Sequence, residues 1–278
     1  MVDLLGGTDV RQLAASIDVV PTKKLGQNFV TDPNTIRRIV GAAKLNGSEN
    51  VVEIGPGLGS LTLGLLEVAK TVTSVEIDRR MASALEETIA KRAPGTNFTL
   101  ISHDAMTLDA LPIAPDALVA NLPYNISVPV LLNFLERFPT IAKGLVLVQA
   151  EVAHRLAAPP GSKIYGAPSA KLAWYAEANL AGNVGRTIFW PVPNVDSALV
   201  YFERRATVLG DETLRKQTFA VIDAAFAQRR KTLRQALAEW AGSAAQAETR
   251  LNAAGVSPQS RGEQLSIANF VAIASTGA

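Results

Sequence analysis

An α/β fold, in which helices cover a mostly parallel sheet and a small all-helical domain follows, is predicted by three features of this 278-residue chain. Between Thr31 and Val148, short apolar runs alternate with stretches of helical periodicity, the pattern of βαβ units. The first strong run, Val51-Val52-Glu53-Ile54, stops abruptly in Gly55-Pro56-Gly57-Leu58-Gly59, as a buried strand does where it turns into a helix. From Glu212 onward only helical patterns occur.

The elements follow in order. Residues 1–22 lack strong periodicity and are expected to form a short helix or a mobile arm. Asp32 can cap a helix with Pro33 at its first position and Ile36, Ile39 and Val40 on its apolar side. After the Val51 strand, Leu61, Leu65 and Val68 lie at helical spacing. Val72 to Ile77 reads as the next strand and Arg79 to Arg92 as the next helix. Strands at Phe98 to Ile101 and Ala117 to Ala120, a helix from Val128 to Phe138 and a strand from Leu145 to Val148 continue the alternation. Two late strands, Thr187 to Trp190 and Ala198 to Glu203, are joined by a proline-rich link and are expected to pair antiparallel. The expected organisation is an arm at 1–22, an α/β domain at 23–206 and a helical domain at 207–278.

Composition narrows the function. An apolar fraction of 48% is ample for a core, and a charged fraction of 19% argues against disorder. No apolar run is long enough to cross a bilayer, and the start lacks the basic and apolar regions of a secretion signal, so a cytoplasmic protein without a membrane partner is expected. The absence of cysteine removes disulfides and thiolate chemistry, and two histidines, His103 and His154, are too few for a rich metal site, so no metal is expected. A net charge of +2 neither requires nor excludes nucleic acid, because binding depends on local patches. A monomer is expected.

The glycine turn is the strongest local signal. Glycines allow a tight backbone turn and close approach of a ligand. Here they run G-x-G-x-G, with Glu53 two residues before the first, rather than the dinucleotide pattern G-x-G-x-x-G. That variant is the usual first motif of methyltransferases built on a Rossmann-like sheet, whose methyl donor is S-adenosylmethionine. Gly55 and Gly57 are therefore candidate cofactor residues. Glu76 ends the next strand, where an acid can accept two ribose hydroxyls, while Asp78 is better placed to cap the following helix. Asp104 follows the third strand and is a candidate acceptor for an adenine amino group, or else a turn residue. Acidic or glycine positions at the ends of three consecutive strands are hard to explain as coincidence.

Asn121-Leu122-Pro123-Tyr124 ends the fourth strand. An aryl amine is a poor nucleophile because its lone pair is delocalised into the ring. Accepting both amine protons favours a tetrahedral nitrogen whose lone pair points at the methyl group, and the Asn121 side chain and Leu122 carbonyl can do this. Pro123 fixes the turn without a competing N–H. Tyr124 can stack on an extruded base. No general base is needed if deprotonation follows transfer, so positioning carries the catalysis.

These segments, with others, resemble the KsgA-type ribosomal RNA adenine dimethyltransferase family. The likeness includes Lys24-Leu25-Gly26-Gln27-Asn28-Phe29, the Gly55 loop, Val75-Glu76-Ile77-Asp78 and Asp104-Ala105-Met106. It continues through Asn121 to Ser127, Glu151-Val152, Arg155-Leu156 and Tyr165-Gly166. Later come Phe189, Pro191, Pro193, Val195-Asp196-Ser197, Phe226 and Gln228 to Leu233. It runs from about residue 23 to about residue 271. The resemblance implies two successive methyl transfers to each of two neighbouring adenosines near the 3′ end of small-subunit ribosomal RNA, with the small ribosomal subunit as partner. It implies cofactor contacts from Asn28, Val30, Gly55, Glu76, Asp104 and Asn121. It also implies that Phe189 faces Tyr124 across the target base, where the residues alone would equally allow a core aromatic. The chain departs from the family in Val30, where leucine is common, and in His103, where glycine is.

Arg229-Arg230-Lys231, with Arg234, form the densest basic cluster. In one continuous helix the two arginines would interrupt the apolar stripe of Phe226, Leu233 and Leu237, so a break between two helices is expected. Two readings stand: buried arginine stems with structural ion pairs, or phosphate contacts to RNA. Competing functions are the antibiotic-resistance type that methylates large-subunit RNA, a DNA adenine methyltransferase, and a non-catalytic RNA-binding assembly or transcription factor. The helical segment favours the small-subunit type, no target-recognition region for DNA is found, and intact Glu76, Asn121 and Tyr124 argue against a dead site.

Overall fold

The computed structural model describes residues 2–19 and 28–277. Lys24-Leu25-Gly26-Gln27, part of the first matching segment, lie outside them. In chain order come α1 (Gly7–Ser16), β1 (Phe29–Val30), α2 (Pro33–Ala42), β2 (Asn50–Ile54), α3 (Ser60–Leu66), β3 (Thr71–Glu76) and α4 (Arg79–Arg92). Then follow β4 (Phe98–Ser102), β5 (Ala117–Asn121), α5 (Ser127–Arg137), β6 (Lys143–Gln149), α6 (Ala150–Leu156), α7 (Ala167–Tyr175) and β7 (Ala176–Val184). The last are β8 (Phe189–Trp190), β9 (Ser197–Arg204), α8 (Glu212–Ala227), α9 (Leu233–Ala236), α10 (Ala238–Ala241), α11 (Ala244–Ala253) and α12 (Ile267–Ser275). Among the described residues no helix is long and apolar enough to cross a membrane.

The larger sheet has the order β4-β3-β2-β5-β6-β9-β7. β4 to β6 run parallel, and β9 joins β6 antiparallel. The central strands are buried on both faces, which is why Ala117 to Ala120 and Leu145 to Val148 read as unbroken apolar runs and Val51 to Ile54 as one interrupted only by the buried Glu53. Asp32 caps α2 as expected, Oδ2 accepting the Thr35 N–H at 2.8 Å with Pro33 in the first turn.

One expectation needs correction, and one open alternative is resolved. The late strands do not pair with each other: β8 pairs antiparallel with β1, and β9 lies between β6 and β7. β7 itself gave no signal, because it is an edge strand of mostly part-exposed residues with few large apolar side chains. Of the two forms expected at the N-terminus, residues 7–16 take the short helix, α1. Leu5, Val10 and Ala14 are buried, and Arg92 holds Asp3 and Asp9 at 2.7 and 2.8 Å.

The chain forms two compact units, 1–153 with 179–203, and 154–178 with 204–278. The expected boundary near 207 lies close to one crossing point, but residues 154–178 group with the helices rather than with the sheet. The reason is aromatic packing: Tyr165 lies 5.9 Å from Phe226, and Trp174 and Tyr175 set their edges against Phe219 at 6.3 and 6.1 Å.

Candidate active site

β2 has β3 and β4 on one side and β5 and β6 on the other, so the loops after β2 and β5 diverge at the carboxyl ends of the strands. A cavity of about 460 Å³ lies there. Its wall gathers Asn28, Val30, Gly55, Gly57, Glu76, Asp104 and Asn121, all the expected cofactor residues, together with Leu122, Pro123 and Tyr124.

Gly57 has φ +56°, and a Cβ there would stand 2.7 Å from the Phe29 ring, so the turn has no room for a side chain. Its N–H is donated to Glu76 Oε2 at 3.0 Å, and Glu76 Oε1 accepts the Asp78 N–H at 2.9 Å. Each carboxylate oxygen keeps further acceptor capacity. Burial raises the Glu76 carboxyl above its ordinary value, against the pull of the Asp78 and Gly57 N–H groups. Asp78 is the helix cap, accepting the Arg80 and Met81 N–H groups at 2.9 and 3.4 Å, which leaves Glu76 for the cavity.

Two further polar groups stand on this wall. Glu53 is buried, and its Oε2 accepts the Thr62 and Ser74 hydroxyls, both at 2.7 Å. Burial, reinforced by the Glu76 charge and opposed by those hydroxyls, pushes its carboxyl up to about 7. The Ser60 hydroxyl is buried without a hydrogen-bond partner. Sequence reasoning missed Ser60, and its one signal was its place directly after the glycine turn. Asp104 serves partly as the turn residue it resembled, Oδ1 accepting the Met106 N–H at 2.8 Å. His103 is exposed, with Nδ1 2.9 Å from the Asp104 carbonyl, to which it can only donate. Among the described residues no acidic or histidine group is placed to hold a metal ion.

The Asn121 Nδ2 donates to the Asn28 carbonyl at 3.0 Å. The Leu122 N–H is donated to the Leu147 carbonyl at 3.1 Å, pinning the peptide that follows Asn121. Tyr124 lines the cavity and shares a 2.7 Å hydroxyl hydrogen bond with Ser197, and burial raises its phenol. A second cavity of about 440 Å³ shares Asn28, Tyr124 and Asn125 with the first. Its remaining wall is Gln149 and residues 191–195. Phe189 lines neither cavity. At 2% exposure it is a core aromatic, in register with Val30.

The basic cluster falls in the expected break, between α8 and α9, and its members differ. Arg229 pairs with Glu263 at 3.1 Å and donates to the Lys163 carbonyl. Arg230 and Lys231 are exposed, with no side-chain partner among the described residues.

Residues 21–276 match the family model described as ribosomal RNA adenine dimethylase. The chain is 59% identical to the ribosomal RNA small subunit methyltransferase A of Leifsonia xyli, over 98% of each chain. Among solved structures, it is similar to a dimethyladenosine transferase from Plasmodium falciparum, with a TM-score of 0.75 and 24% identity over 88% of this chain and 95% of that one. It is also similar to the 23S rRNA methyltransferase ErmE, with a TM-score of 0.65 and 26% identity over 89% of this chain and 98% of that one.

Proposed function

The chain belongs to the ribosomal RNA adenine dimethylase family, and from that premise we propose that its first cavity holds S-adenosylmethionine while its second receives the target adenine. The reaction is methyl transfer from S-adenosylmethionine to adenine amines of small-subunit ribosomal RNA. The residues present fit that cofactor. The Gly55–Gly57 turn leaves backbone open to a ligand, and the Glu76 carboxylate has acceptor capacity for two ribose hydroxyls. Asp104 can take an adenine amino group, and the unpartnered Ser60 hydroxyl waits on the same wall. Asn28 and Val30 frame the cofactor on the side of β1. Bound there, S-adenosylmethionine supplies an electrophilic methyl group on a sulfonium.

One observation carries the reading of the chemistry. Because the Asn28 carbonyl takes the Asn121 amide N–H, the acceptor end of that amide, Oδ1, is left for an incoming amine proton. The Leu122 carbonyl accepts the other. Two such hydrogen bonds favour a pyramidal nitrogen whose lone pair is available, Pro123 adds no competing donor, and Tyr124 stacks against the base. The transfers fall twice on each of two neighbouring adenosines near the 3′ end of the RNA. Arg230 and Lys231 contact phosphate, whereas Arg229 is held by Glu263. A monomer acting in the cytoplasm, on the ribosomal RNA found there, completes the proposal.

The test is transfer from labelled S-adenosylmethionine to small subunits lacking these methyl groups, with large subunits and DNA alongside. Two adjacent dimethyladenosines on small-subunit RNA support the proposal. Transfer to large-subunit RNA alone favours the resistance-type reading, and RNA binding without transfer favours an accessory factor.

A further inference from the structure

The second cavity contains a polar group that the chemistry above does not use. Gln149 ends β6, is half-buried, and has a side-chain amide without a hydrogen-bond partner among the described residues. Apart from Tyr124, nothing on the wall of this cavity titrates, so the site is neutral and its polar recognition rests on amides. Asn125 is another unpartnered amide there, but it is exposed on the turn after Tyr124, whereas Gln149 is fixed by the sheet.

Register sets where Gln149 can act. Asn121 pairs with Leu147 across β5 and β6, and Gln149 follows two residues later on the same face, about 7 Å along the strand. That offset is comparable with the length of a purine. On its other side Gln149 pairs with Ser197, the residue that holds the Tyr124 hydroxyl. One end of three adjacent strands therefore carries the amine acceptor, the anchor of the stacking ring and a free amide.

We propose that Gln149 orients the target base, its amide N–H donating to a ring nitrogen that flanks the adenine amine. Both flanking ring nitrogens of adenine carry lone pairs. Stacking on Tyr124 leaves the base free to rotate in its plane, and the amine acceptors hold only one point of it. A second contact on the ring edge fixes the angle at which the amine meets Asn121 and Leu122. The contact matters more in the second transfer, when one amine proton has been replaced by methyl and one of the two amine hydrogen bonds is gone.

The inference rests on the assignment of the two cavities, and the test separates them. Gln149→Met keeps the length of the side chain and removes the donor; Gln149→Glu keeps the length and replaces the donor with an acceptor. With undermethylated small subunits as substrate, the Met variant is expected to lose about ten-fold in kcat, with a smaller change in KM. It should accumulate monomethyladenosine, and Gln149→Glu should fall further. S-adenosylmethionine affinity and melting temperature should stay at parental values. Parental rates and dimethylated product from Gln149→Met would overturn the inference, as would a loss matched by weaker cofactor binding or stability, which marks a packing role. A Glu76→Ala protein with parental cofactor affinity would instead overturn the cavity assignment itself.

Discussion

Asn121 donates its side-chain amide to the backbone carbonyl of Asn28, 93 residues earlier in the chain, at 3.0 Å. A carbonyl can only accept, so the bond fixes which end of the Asn121 amide faces it and leaves Oδ1 as an unused acceptor, the one proposed for the substrate amine. Asn121→Ala removes this oriented acceptor. Turnover is expected to fall about 100-fold or more, on the scale of losing one pre-organised polar contact from an active site. Cofactor affinity should change far less. Single-turnover methyl transfer and calorimetric binding measure the two separately, and a parental transfer rate would exclude Asn121 as the amine acceptor.

Glu76 ties the glycine turn to the start of α4 and offers acceptor capacity to the cavity. Glu76→Ala is expected to weaken S-adenosylmethionine by roughly ten- to a hundred-fold, the loss of one charge-assisted contact. Glu76→Gln should fall between, since it keeps one acceptor oxygen. Isothermal titration with the cofactor alone decides this without RNA.

Glu53 makes stability depend on pH in an unusual direction for a carboxylate. Its value is about 7 in the folded chain against an ordinary 4.5. Between those values the folded state binds more protons than the unfolded one, so this group's contribution falls as pH rises from about 4.5 to 7 and is flat above. The span is on the order of 3 kcal/mol. Glu53→Gln keeps an oxygen for the Thr62 and Ser74 hydroxyls and cannot ionise. It should therefore melt above the parent at pH 8, with the gap closing toward pH 5. A gap that does not vary with pH would sink the idea.

Ser197 is buried and holds the Tyr124 hydroxyl. Ser197→Ala frees the ring to tilt, with an expected loss of roughly five- to ten-fold in kcat/KM, the worth of one hydrogen bond. Tyr124→Phe breaks the same bond from the other end, so the double variant should be no worse than either single one. Additive losses would mean that the two residues act separately.

The basic cluster separates by salt. If Arg230 and Lys231 contact phosphate as proposed, Arg230→Ala with Lys231→Ala should weaken RNA binding and flatten its dependence on salt, because neither side chain has a partner in the fold among the described residues. Arg229→Ala should chiefly lower the melting temperature, since it leaves Glu263 without its partner. The reverse pattern would show that the ion pair is dispensable and that Arg229 is the RNA contact.

The sequence alone determined the strands of the parallel sheet, the acids and glycines at their ends, the caps at Asp32 and Asp78 and the break between α8 and α9. All of these rest on local free energy: apolar periodicity, capping and turn preferences act within a few residues and leave their mark there. Tertiary structure decided the rest. β8 has two residues and exists because β1, far away in the chain, pairs with it; β7 is an exposed edge with little apolar pattern to read. Arg229 and Arg230 are identical in sequence terms, and only the approach of Glu263 makes one structural and leaves the other free. Phe189 is a buried core ring, the Asn121 amide is turned by Asn28, and Gln149 stands near Tyr124 through the register of β6 and β9. Such relationships join residues tens to hundreds of positions apart, and packing selects them from many partners that local pattern leaves equally open.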